Sequence, residues 1–443
     1  MAITTVMPVC ETGTGSSPND LDLLWEFKAY LGALCSRTDI AHCFKPRRYQ
    51  FSDFVLVRFY ALLANRSTHY AAETLNADLS ARLTAEGLFY PFRYQDRKRR
   101  RRVVPHQTDV DKFFRCLTER DVRTIFGGVL DAWVRAIANR VGRGRTWKFI
   151  ADNTKFPYYG KKDPHKHIQA PRLPGTKHAW MFQGCSITSE NLHLFVDFHS
   201  LTKGVYRCAA IPSTLRWLRW SRLRVGVVLV DREFYRAALV RDLARDKVPV
   251  LMPTIKRPWA VKRMAQYLHG TAGVVSGNVF TQSFRQYPFQ SSVFVRLVLV
   301  GHGRKGCWEV REQYNQQALS FDEALGQLAG FYTTLRPWKN PKAWARYLSR
   351  TYKRRWNVET GFRELNSLHP YFRCRTYVQK WADIFMRGWA YDLWQVWAFH
   401  HTRCGHFPGN YTRQIFQVEA AAAVREILIG SGRTREKICQ NMD

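Results

Sequence analysis

No run of about 20 residues in this 443-residue chain is both apolar and uncharged, so the sequence offers no membrane-spanning helix. The best candidate, Trp381 to His400, carries Asp383, Arg387 and Asp392 and reads as a core helix. The ten cysteines never form a Cys-x2-Cys pair, which argues against a secreted disulfide scaffold and for a reducing compartment. The stretch HHTRCGH, His400 to His406, has zinc-type donors but no second ligand cluster beside it. The first 20 residues have neither a basic start nor a long apolar core, so they are not read as a signal peptide. Acidic residues are also scarce: 35 Asp plus Glu face 69 Lys plus Arg, a formal net charge of +34. Such self-repulsion calls for a polyanionic partner, with nucleic acid first and an acidic membrane surface second.

What is present is enough for a large core. Hydrophobic residues make up 46% of the chain and aromatics 14%, on a length that suits two or three domains. Residues 1–20 read as a flexible tail and 21–142 as a helical, basic, DNA-binding region. Within it lies the dense basic run Arg93 to Arg102. Read as a solvated loop or as a groove reader, that run contacts phosphates through residues such as Arg99, Arg100 and Arg101. VGRGR at 141–145 marks a boundary, and strand-like segments follow. TWKFIADNTKF, AWMFQGCSIT and LHLFVDFHSL read as three strands, RVGVVLVD as a strand buried on both faces, and VPVLMPTI and GFYTTL as two more. Alternating segments from about 272 to 312, CWEVREQY among them, suggest a β-rich antiparallel insertion. After the cap and proline at 340 and 341, one continuous helix is expected up to Pro370. The whole is a mixed α/β pattern over 145–400, with a tail or helix at 401–443.

Three carboxylates stand out. Asp152 lies at or near the end of the first strand, and Asp231 ends the buried run. In open α/β sheets chemistry collects beyond the carboxyl ends of strands. Taken singly, each aspartate also reads as an ordinary turn cap. On the late helix, Tyr352, Arg355, Glu359, Arg363 and Asn366 share a face roughly 80° wide. Arg355 and Glu359 alone also read as an i, i+4 ion pair. Two aspartates and a glutamate together supply the hard oxygen ligands that Mg²⁺ requires. Two such ions serve in-line phosphodiester displacement. Asp197 in LFVDFH is a rival carboxylate, on a strand that continues beyond it.

These segments resemble the DDE transposases of bacterial and archaeal insertion sequences, in the branch whose signature is Tyr-x2-Arg-x3-Glu-x6-Lys. Tyr352, Arg355 and Glu359 keep the spacing, and Asn366 replaces the lysine. DNTKFPYYG looks like the family's first-aspartate segment. VLVDREFY looks like the second, with Glu233 where glycine is common, and LMPTIK after the next strand also fits. The resemblance covers about 145–400. It implies an RNase H-like, retroviral-integrase-like mixed sheet flanked by helices. It further implies Asp152, Asp231 and Glu359 as catalytic ligands of two Mg²⁺ ions, with Mn²⁺ a substitute. End cleavage and transfer of the freed 3′-hydroxyl strand would follow. Tyr352, Arg355, Arg363, Arg232 and Lys155 are then expected DNA contacts, with Arg363 or Arg373 standing in for the missing lysine. The implied partner is double-stranded DNA, bound by a homodimer in the cytoplasm at the nucleoid. The alternatives are a catalytically silent DNA-binding relative and an RNase H-like nuclease without strand transfer.

Overall fold

The Val/Leu run after Leu223 becomes the central strand of a sheet in the computed structural model of the protein. The structure describes residues 49–85, 104–141, 145–160, 168–173, 175–189, 192–202, 208, 210–284, 287–302, 306–368, 374–403, 420–422 and 424–425. The strands are β1 (Thr146–Pro157), β2 (Ile168–Leu173), β3 (Thr176–Ser189), β4 (Leu192–Leu201), β5 (Arg224–Val230), β6 (Val250–Pro253), β7 (Val275–Phe284), β8 (Tyr287–Gly301) and β9 (Leu328–Thr333). All nine join one sheet in the order β2-β3-β1-β5-β6-β9-β8-β7, with β4 also pairing β3. β3 runs antiparallel to β1 and β4, while β5 and β6 run parallel to β1 and to each other. That arrangement, β4-β3-β1-β5-β6 with helices on both faces, is RNase H-like. β5 is buried from Val227 to Val230, as a strand covered on two sides must be.

Ahead of the sheet lie helices α1 (Phe51–Leu63), α2 (Thr68–Ala85) and α3 (Gln107–Cys116). A π-helical stretch, Val122–Gly127, then leads into α4 (Gly128–Val141). The later helices are α5 (Ala210–Trp220), α6 (Ala237–Arg245), α7 (Pro258–Leu268), α8 (Cys307–Asn315), α9 (Phe321–Gln327), α10 (Pro341–Lys353), α11 (Trp356–Ser367) and α12 (Tyr377–Arg403). α12 is the hub that joins the first helices to the sheet. Its Trp389 stacks on Phe126 at 5.3 Å and meets Phe59 edge-on at 6.1 Å. Gly388 lets it approach β4, because a Cβ there would lie 2.4 Å from the Phe198 ring. Its charges are explained by partners. Asp383 accepts from Lys380 and Arg387, and Asp392 accepts the Phe195 backbone N–H at 2.8 Å, beside the irregularity in the β3–β4 pairing. No helix among the described residues is long and apolar enough to cross a membrane.

Three segments differ from the sequence reading. CWEVREQY is not a strand but helix α8: Cys307 and Val310, three apart, are the buried pair, and Glu309 accepts the Gly306 N–H at 3.2 Å. The expected continuous helix is broken at Arg354 and Arg355, where successive N–H groups donate three residues back rather than four: Arg355 to Tyr352 at 2.8 Å and Val358 to Arg355 at 3.1 Å. And β1 does not stop at Asp152. Its pairing with β5 ends at Ala151 opposite Val230, while its pairing with β3 continues to Pro157.

On the sheet face that α4 covers, burial, with the charge of Asp197 adding to it, pushes the Asp131 carboxyl from 3.8 up to about 7. The folded chain therefore keeps a proton between those values that the unfolded chain has released, so stability falls as pH rises through that window. Asp131→Asn is expected to flatten this slope in denaturation curves taken from pH 4 to 8. An unchanged slope would remove Asp131 as its source.

Candidate carboxylate site

Parallel register sets the first two carboxylates side by side. Ala151 pairs with Val230, and the next residues on the two neighbouring strands are Asp152 and Asp231. Asp231 opens a tight 3-10 turn, Arg232–Phe234, and accepts the Arg232 N–H at 2.7 Å. Its capping role and its position beside Asp152 therefore coexist. Asp152 lies opposite Gly184 of β3, where a Cβ would sit 2.3 Å from the Phe362 ring of α11. Glycine at 184 thus lets α11 settle close over β1, and α11 carries Glu359. Gly184→Ala is expected to cost about 1–3 kcal/mol by overpacking and to weaken any activity of the site, because Phe362 and its helix must shift. Unchanged thermal unfolding and unchanged cleavage would contradict this packing argument.

Arg355 ties the site together. Its guanidinium donates to Asp152 Oδ2 at 3.3 Å and to Glu359, while its carbon lies 5.6 Å from the centre of the Tyr352 ring. It is 8% exposed, and its Nε has no hydrogen-bond partner. Burial opposes its charge, but Tyr352, Asp152 and Glu359 outweigh that and raise its pKa. Tyr352 donates to the Val230 carbonyl at 3.4 Å, next to Asp231. Burial pushes the Asp152 carboxyl up to about 6; Arg355 and the Asn153 N–H oppose this, and Glu233 and Glu359 add to it. The carboxylates thus repel one another in a partly buried place and are steadied by one guanidinium.

Glu233 is a fourth carboxylate here that the sequence reading passed over as a substitute for glycine. Asn153 donates to it at 2.9 Å, and Gln183 donates to Asn153 at 3.2 Å. Its position two residues after Asp231, in a one-turn helix that folds back over the strand end, was the available signal. Asp197 is not part of the group. It pairs with Cys185, the neighbour of Gly184, and so faces the other side of the sheet. There it is ion-paired with Arg123 and His199 and accepts from Thr214 at 3.3 Å. Burial raises its carboxyl, but His199 and Arg123 outweigh that and hold it far below the usual range.

The remaining expected contacts separate. Arg232 and Arg363 are exposed on the turn after Asp231 and on α11, and Asn366 is exposed one turn beyond Arg363. Lys155 is exposed on β1, but strand alternation turns it to the side opposite Asp152. Trp356, directly after Arg355, is 62% exposed. Arg99, Arg100, Arg101 and Arg373 lie outside the described residues, as does the whole run Arg93 to Arg102. The oxygens of Asp152, Asp231 and Glu359 do not gather within 4.8 Å of one another; among the described residues the one group that does is His69, Glu73 and His106.

The family described as Transposase DDE domain matches residues 143–393. No curated protein matches the sequence. Among solved structures, the piggyBac transposase synaptic complex with hairpin DNA is similar at a TM-score of 0.49 and 10% identity, over 93% of this chain and 80% of that one.

Proposed function

The chain belongs to the Transposase DDE domain family, and from that premise we propose that Asp152, Asp231 and Glu359 cleave phosphodiester bonds at transposon ends and transfer the freed strand to target DNA. The observation that carries this reading is the β1–β5 register, which makes Asp152 and Asp231 neighbours, while Arg355 links Asp152 to Glu359. The donor set fits Mg²⁺: every ligand is a carboxylate oxygen, and burial together with the nearby Glu233 and Glu359 makes the Asp152 site favourable to a cation. Two Mg²⁺ ions, or Mn²⁺ in their place, would supply activation of the attacking oxygen and charge neutralisation of the leaving one.

The chain's own groups account for the rest. The carboxylates hold the acidic centre, and Tyr352, half-buried against Phe331 at 5.0 Å, walls it. Arg232 and Arg363, exposed beside it, are placed for phosphate contact, as the charge of +34 requires. In the reaction, a water oxygen forms a bond to phosphorus as the bond to the 3′-oxygen breaks, and the freed 3′-hydroxyl repeats the attack on target DNA. Handling two ends at once calls for a homodimer on the DNA.

The test uses purified protein with the terminal inverted repeats that flank its gene, in Mg²⁺ or in EDTA. Nicking in Mg²⁺ alone followed by joining is expected. Nicking without joining would leave an RNase H-like nuclease, and binding without nicking a silent DNA-binding relative. Affinity for the ends is expected to fall by about 10³-fold or more between 50 and 200 mM salt; a flat response would contradict phosphate-dominated binding.

A further inference from the structure

Away from the carboxylates, helix α2 presents His69 and Glu73 one turn apart on the same face, since residues i and i+4 are neighbours on a helix. The N-cap of α3, His106, comes to meet them. One ligand atom from each of the three residues lies within 4.8 Å of the other two. His106 Nε2 and Glu73 Oε1 are 3.6 Å apart, close to the roughly 3.3 Å between two ligands of a tetrahedral metal at about 2.0–2.1 Å. The His69 and His106 rings meet edge-on at 6.1 Å.

From this we infer that His69, Glu73 and His106 form a site for a transition-metal dication of the Zn²⁺ class. Two imidazoles and a carboxylate suit Zn²⁺ and not Mg²⁺, which takes oxygen ligands. Three protein ligands leave a fourth position for water. In this structure His106 Nδ1 accepts the Thr108 backbone N–H at 3.3 Å. His106 Nδ1 lies 2.9 Å from Thr108 Oγ1. Binding a metal through Nε2 moves the proton to Nδ1, which then gives up the Thr108 N–H and donates to the hydroxyl instead. His69 and Glu73 are exposed, so an ion can enter from solvent.

The same helix already grips the chain just before His106. Asn76 donates to the Val104 carbonyl at 3.2 Å and accepts the Val104 N–H at 3.1 Å. Val104 follows the basic run closely in sequence. A metal clamp one and two turns earlier on α2 would add a second hold on the chain leading into α3.

The experiment uses full-length protein carrying Asp152→Asn, Asp231→Asn and Glu359→Gln, so that the outcome is independent of the proposed catalytic centre. It is stripped of metal, then titrated with Zn²⁺ by calorimetry and with Co²⁺ by visible absorption, and its thermal unfolding is followed. One Zn²⁺ per chain is expected, with a rise in Tm and a Co²⁺ spectrum free of thiolate charge transfer. His69→Ala and Glu73→Gln, both exposed positions, should each weaken Zn²⁺ binding by about tenfold or more and leave the metal-free Tm in place. Unchanged Zn²⁺ affinity in those variants, a thiolate spectrum pointing to the cysteines, or no Zn²⁺-dependent rise in Tm would each overturn the site.

Discussion

Asp231→Ala is expected to reduce strand cleavage by about 10³-fold or more while the affinity for end DNA stays nearly unchanged. Asp231 sits at the end of the buried strand β5, beside Asp152, and its side chain accepts the N–H of the next residue. The turn it caps is three residues long, so the structural cost of losing the side chain is near that of an N-cap, about 1 kcal/mol. A ligand to a catalytic cation, by contrast, is worth several kcal/mol of transition-state stabilisation, and about 1.4 kcal/mol is a factor of ten in rate. The two contributions separate in one experiment: Asp231→Ala and Asp231→Asn are compared for cleavage, for end binding and for Tm. Asparagine keeps the cap and removes the anionic ligand, so it should restore Tm but not cleavage. Near-parental cleavage by either variant would take Asp231 out of the proposed centre. The parallel changes at Asp152 and Glu359 carry the same expectation, although losing Asp152 or Glu359 also frees a bond of Arg355.

Asp383→Ala is expected to destabilise the protein by about 3–5 kcal/mol. Asp383 is 1% exposed on α12 and accepts from Lys380 at 2.9 Å and from Arg387 through Nε at 3.1 Å and Nη2 at 3.0 Å. Its removal leaves buried Arg387 and partly buried Lys380 without their shared carboxylate, which is worse than losing a contact. The effect reaches the candidate site, because Arg387 also donates to the Leu365 carbonyl of α11 at 3.1 Å, the helix of Glu359. The carboxyl has a matching pH signature. Burial alone raises it, but Arg387, Lys380 and Arg58 outweigh that and bring it down from 3.8 to about 2. Its contribution is thus fully present above the unfolded value and is lost as pH falls through about 2. Chemical denaturation of Asp383→Ala and of the parent at pH 7 and pH 3 reads both effects. A loss below about 1 kcal/mol at pH 7 would sink the argument.

The membrane question on α12 shows how far the sequence carried. Three charges within 20 residues were enough to reject a span, but why a buried helix keeps them appeared only when Asp392 met the free N–H at the β4 irregularity and Asp383 met Arg387. The break at Arg354 and Arg355 is the opposite case. A continuous 100° helical wheel placed Tyr352, Arg355 and Glu359 on one stripe, and the three do gather, yet through a kinked junction whose hydrogen bonds run three residues back. No proline or glycine marks it in the sequence. CWEVREQY reads as a strand in the sequence because a short segment of eight residues with few apolar positions does not separate the helical period from alternation when its surroundings are unknown.

What the sequence determined by itself is what is encoded locally: most of the order of strands and helices, the strongly basic balance, and three acidic segments whose spacing matches a transposase family. These follow from side-chain type and periodicity over a few residues. The tertiary structure decided which carboxylates share a place. Asp152 and Asp231 are neighbours because the parallel pairing of β1 with β5 shifts by one residue between Trp147 and Lys148; without that shift Asp152 would stand level with Val230. Asp197 is removed by its pairing with Cys185, Glu233 is brought in by a single 3-10 turn, and Glu359 approaches because Gly184 leaves room for Phe362. The hairpin and the turn are local, but the meeting of β1 with β5 and of α11 with β1 joins segments far apart in the chain, set by strand register and by the packing of a helix on a sheet.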